Sequence, residues 1–155
     1  MNTDSLMAEA IRWKEKAESA KAPYESIWVV FDKDDWSINN FNRAFDLARS
    51  HPTITPCWAN ECFELWYLLH FELRQTAIGR KKVWSEISAY LDKRYDKADP
   101  RVFTQLSTQT KAALDNAKRL EFINAQMGEK HRNPSTNVHR LISMLLAHDP
   151  KRQEA

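Results

Sequence analysis

The run Ile27-Trp28-Val29-Val30-Phe31-Asp32-Lys33-Asp34-Asp35-Trp36 constrains the fold more than any other stretch of the chain. Five successive apolar residues, most of them β-branched or aromatic, predict a strand buried on both faces, because a half-exposed strand alternates. Asp32, Asp34 and Asp35 follow within four positions. Asp32 and Asp34, two apart on an extended chain, project to the same side and could share one hard cation. A Mg2+ held by one or two carboxylates keeps room for a phosphate and can activate water for phosphodiester hydrolysis. The alternative is an acidic turn that caps the next helix.

The surrounding elements place this turn. Residues 4–21 predict an amphipathic helix with Asp4 as N-cap, a stripe of Leu6, Ala10, Ile11, Trp13 and Ala17, and Pro23 as its stop. Ser37 or Asn39 can cap a second helix through Arg49, with Phe41, Ala44, Phe45 and Ala48 inward. Thr53–Trp58 reads as a second strand, so strand, helix and strand predict a parallel crossover unit with the acidic turn at its carboxyl edge. Open α/β sheets bind their ligands there. Asn60 then caps an apolar helix over 61–72, hydrophobic nearly all round and so central. Glu64 is anomalous within it, since a buried carboxylate requires a partner. It can point toward Asp32 and Asp34, or it can serve the positive end of its own helix. Further helices are predicted over 80–94, 108–126 and 135–148, with polar connections at 92–103 and 127–134.

Length and apolar content predict one α/β domain over 1–155, with a small parallel sheet up to residue 72 and a helical portion from 73. Residues 1–72 carry 7 Lys/Arg against 12 Asp/Glu, and residues 73–155 carry 16 against 9. An acidic half joined to a basic half suits a polyanionic ligand, although a solvated Lys-rich helical surface has the same composition. Arg80, Lys81, Lys82, Lys118, Arg119, Lys130 and Arg132, with Arg74, Lys93 and Arg94 and the rings of Trp84, Tyr90 and Tyr95 among them, are candidate contacts to nucleic acid phosphates and bases. Cys57 and Cys62 match no zinc spacing and read as small buried residues, and the five histidines fit no metal motif. No apolar run approaches a membrane span and the N-terminus has no basic, apolar leader pattern, so a cytoplasmic location is expected.

Three blocks in this order resemble the RloB-like family, which includes the abortive-infection protein AbiLii: Val29-Val30-Phe31-Asp32-Lys33-Asp34-Asp35, Asn60-Glu61-Cys62-Phe63-Glu64-Leu65-Trp66-Tyr67-Leu68-Leu69-His70-Phe71, and Asn133-Pro134-Ser135-Thr136-Asn137-Val138. The resemblance spans roughly residues 25–146. It implies a Toprim-like α/β fold and a role in bacterial phage defence beside an AAA-type ATPase encoded nearby. Toprim domains bind Mg2+ through an Asp-x-Asp pair, which Asp32 and Asp34 match, and use a glutamate from an earlier strand as general acid or base.

The departures bear on activity. Family members normally begin with a strand and a Glu-Gly-x-x-Thr-Glu-like segment, whereas this chain opens on the 4–21 helix, whose Glu9, Glu15 and Glu18 do not match it. Glu61 stands where the family usually has Pro. A shortened member, one that completes its sheet with another chain, or a catalytically inactive one would each fit. The leading expectation is a nuclease dependent on Mg2+ or Mn2+, with Asp32, Asp34 and Glu64 catalytic and Asp32, Asp34 and Asp35 holding the metal. The competing expectation is a non-catalytic defence subunit that binds and regulates its ATPase partner; a third is nucleic acid binding without cleavage.

Overall fold

Trp58 divides the chain, which forms two compact units, Met1–Trp58 and Ala59–Ala155. The structure, a computed structural model, describes residues 3–33 and 38–149. Asp34, Asp35 and Ser37 lie outside the described residues.

The first unit contains α1 (Thr3–Ser19), β1 (Ile27–Asp32), α2 (Ile38–Arg49) and most of β2 (Ile54–Asn60). β1 runs parallel to β2, as the crossover pattern predicts, and the fold is α/β. β1 alternates, however, and is not buried on both faces. Val29 and Phe31 are buried while Val30 is 40% exposed. The reason is sheet order: β1-β2-β3 leaves β1 at an edge and puts β2, buried along nearly its whole length, in the middle. The core of this unit gathers Met7 and Ala10 of α1, Val29 and Phe31 of β1, Phe41 and Ala44 of α2, and Ile54 and Trp58 of β2. Phe41 is its centre, edge-on to Phe31 at 6.0 Å and to Trp58 at 5.9 Å.

Two expectations for α1 need correction. Asp4 sits inside the first turn, not before it, and pairs with Arg43 of α2 at 3.4 Å. Trp13 is 47% exposed and donates its indole N–H to Glu9 at 2.8 Å, outside the core stripe. The helix ends at Ser19 because the chain closes a Schellman turn: Ala22 N–H bonds Ala17 O and Lys21 N–H bonds Glu18 O, with Lys21 at a φ of 56°. Asn39 likewise lies within α2 and is not its cap.

The second unit continues with α3 (Leu65–Leu68), α4 (Arg80–Tyr90), α5 (Arg101–Ser107), α6 (Thr110–Gln126), β3 (Ser135–Thr136) and α7 (Val138–Ala147). The long helix expected over 61–72 reduces to α3 flanked by turns, and Asn60 ends β2, with no helix to cap. The Asn60 side chain instead donates to His131 O at 2.8 Å. The expected centrality of this stretch holds, since Cys62, Leu65, Trp66, Leu68 and Leu69 are all buried. α4 stops at Tyr90, not Arg94, through a second Schellman turn in which Asp92 takes a φ of 50° and Lys93 N–H bonds Ser88 O. α5 occupies part of a stretch read as connection. Asp99-Pro100 starts it, Asp99 Oδ1 accepting the Arg101 N–H at 3.0 Å. β3 replaces the expected first turn of the last helix and pairs antiparallel with β2, Ala59 opposite Thr136 and Asn60 opposite Ser135. Both cysteines are buried free thiols, as expected, and burial pushes Cys57 up to about 12, which keeps it unreactive. No helix among the described residues is long and apolar enough to cross a membrane.

Candidate metal and nucleic acid site

Asp32 is the last residue of β1, half-buried, at the carboxyl end of the parallel pair. Its carboxylate is hard oxygen chemistry of the kind a divalent cation takes. Asp34 and Asp35, the other expected metal ligands, fall outside the described residues. Among the described residues no three His, Cys, Asp or Glu side chains gather as a metal site.

Glu64 belongs to the second unit, one residue before α3, and is 3% exposed. Its charge is matched locally: Lys97 Nζ lies 2.7 Å from Oε1 and the Tyr95 hydroxyl donates to the same oxygen at 3.3 Å. Burial raises the carboxyl pKa, but Lys97, together with backbone and Cys62 donors, outweighs burial and holds Glu64 below the usual carboxylate range. Burial and the neighbouring Glu64 charge push Tyr95 well above the usual phenol range. Glu64 therefore fastens the 91–100 segment. Lys97 also lies over the Trp84 ring at 5.2 Å, and Tyr95 N–H bonds Ser88 Oγ at 2.9 Å.

Glu61, the departure from the family pattern, has a structural task. Its Oε1 accepts the Arg80 N–H at 3.3 Å, at the start of a helix whose N-cap, Gly79, has no side chain to offer. A carboxylate there satisfies an otherwise open donor and favours the positive helix end.

The predicted basic contacts divide by how they are engaged. Arg74 bridges Glu72 and Glu86, Lys82 lies 3.5 Å from Glu86, Lys93 bonds Asp99 at 3.0 Å, and Arg132 bonds Gln75 O at 3.1 Å. Lys81, Arg94, Lys118, Arg119 and Lys130 make no ion pair with a described residue and are exposed. Lys118 and Arg119 ride on α6. Lys81 and Arg94 line one open groove of about 350 Å³ with Trp84, Tyr95 and Lys97. Lys97 was missed in the sequence; only its position two residues after Tyr95 hinted at it.

The third sequence block is a buried polar segment. Asn133 clamps Ile78 from both sides, accepting its N–H at 3.1 Å and donating to its O at 3.0 Å. Asn124 donates to Pro134 O at 2.9 Å, and His139 Nε2 lies 3.3 Å from Glu121, whose pKa His139 and Arg140 lower against burial. A different cavity, about 210 Å³ and almost wholly apolar, lies among Trp66, His70, Phe103, Leu106, Ile142 and Leu145. Burial pushes its one imidazole, His70, below the usual range despite the Trp66 carbonyl at 2.9 Å. Neutral and apolar, it does not suit a phosphate.

Residues 2–145 match the family model described as RloB-like protein. No curated protein sequence and no solved structure matches the chain.

Proposed function

The chain belongs to the RloB-like protein family, and on that premise we propose that it is a Toprim-type, metal-dependent phosphodiesterase acting on nucleic acid in bacterial phage defence. The observation that carries this reading is Asp32, a carboxylate on the last residue of a strand parallel to its neighbour, where α/β folds receive ligands. Asp32 and Asp34, with Asp35, would hold Mg2+ or Mn2+. When bound, such a cation supplies charge at a phosphoryl oxygen and lowers the pKa of a water. Lys81, Arg94, Lys118, Arg119 and Lys130, exposed and with no ion pair to a described residue, support a polyanionic substrate held by its backbone. The test is cleavage of single-stranded and duplex DNA and RNA with Mg2+ or Mn2+. Expected is cleavage that EDTA abolishes and that Asp32→Asn lowers at least ~100-fold, as loss of a charge-stabilising group at the reaction centre does. Cleavage unchanged in Asp32→Asn would refute the assignment.

One observation favours the second reading, a non-catalytic subunit that regulates an AAA-type ATPase. Glu64 is committed to Lys97 and Tyr95, a structural role that leaves its contribution to catalysis unsupported. On that reading the chain changes the rate of ATP hydrolysis by the ATPase encoded beside it, and Asp32→Asn leaves that effect intact.

A further inference from the structure

Among the described residues β1 has a neighbour on one side only. Ile27 N–H bonds Thr53 O at 2.8 Å, so Ile27, Val29 and Phe31 turn their backbone groups toward β2 and Trp28, Val30 and Asp32 turn theirs outward. Natural sheet edges are blunted by lysine, proline or a bulge. Ile27-Trp28-Val29-Val30-Phe31 has none of these. An open groove of about 400 Å³ runs along this edge between α1 and β1, lined by Leu6, Ala10, Trp13, Tyr24, Trp28 and Val30. Three of these large side chains, Trp13, Tyr24 and Val30, are each at least 40% exposed.

We infer that this edge pairs antiparallel with β1 of a second copy of the chain, joining two sheets edge to edge across a twofold axis. Such an interface must be self-complementary, and one register of this strand is. With Val29 opposite Val29 of the second copy, Trp28 faces Val30, Ile27 faces Phe31, and Glu25 comes level with Lys33. The outward groups of Trp28 and Val30 then supply the hydrogen-bonded positions. Glu25 and Lys33 make no ion pair with a described residue, Lys33 Nζ lying 5.8 Å over the Phe41 ring, and the register sets the two opposite charges level twice. A shift by two residues loses this match.

Light scattering on the full chain, across a concentration series, tests the inference. The wild type is expected at twice 18.2 kDa. Val30→Pro, which removes an outward N–H and no bond to β2, and Val30→Lys are both expected to be monomers with unchanged circular dichroism. Glu25→Lys alone, which sets like charges opposite each other at two places, is expected to weaken the dimer about tenfold, and Glu25→Lys with Lys33→Glu to restore it. A wild type that is monomeric at every concentration overturns the proposal. A dimer that survives both Val30 substitutions, or one that Glu25→Lys leaves unchanged, overturns the interface or its register. None of these readouts requires metal or cleavage.

Discussion

Glu64 shows how much one buried charge can organise. A carboxylate 3% exposed is tolerated because Lys97 and Tyr95 reach it, and through them the 91–100 segment is drawn against α4. Lys97→Ala leaves the carboxylate with the tyrosine as its remaining side-chain oxygen partner, a loss of about 1–2 kcal/mol once the solvent exposure of Lys97 is allowed for. The pH dependence has a definite sign. A carboxyl held below its ordinary 4.5 stabilises the fold above that pH, and the contribution fades as pH falls through the folded value. Without Lys97, an influence that lowers the pKa is lost and it moves up from the wild-type value. Urea unfolding of the two proteins should therefore differ most near pH 7 and converge toward pH 3. A constant difference across that range would show that Lys97 acts through packing on Trp84 and not through charge.

At the scale of elements, the first unit depends on α2 closing over β1 and β2. Phe41, buried and edge-on to both Phe31 and Trp58, joins the three. Phe41→Ala should cost ~3–5 kcal/mol in chemical denaturation, whereas a cost under ~1 kcal/mol would mean that the core does not centre there. Much of this architecture was legible in the sequence. The apolar run, the helix with Phe41 and Ala44 inward, and the second strand follow from periodicity and turn signals. What misled was local. A run of five apolar residues reads as doubly buried whether it is central or an edge, and only pairing order decides. The stretch from Cys62 to Phe71 has the composition of a helix, yet its burial comes from packing of a single short α3 and the turns beside it. Asp99-Pro100 did announce α5, but the polar residues around it masked the signal. Asp32 at the end of the first strand was visible at once. The pairing of Glu64 with Lys97 was not, because it joins residues 33 apart and rests on tertiary folding.

For the molecule as a whole, the polyanionic ligand we propose rests on the family, the α/β fold and the distribution of charge. Asp32 ends the parallel strand, and Lys81, Arg94, Lys118, Arg119 and Lys130 of the second unit are exposed and make no ion pair with a described residue. An edge-paired dimer would present two copies of each. On the proposed function Asp32 and Asp34 bind a divalent cation, and calorimetric titration of Mg2+ and Mn2+ into the wild type and into Asp32→Ala/Asp34→Ala measures this without any substrate. The expected result is saturable binding by the wild type that the double substitution abolishes; equal binding by both proteins, or none by either, would contradict it.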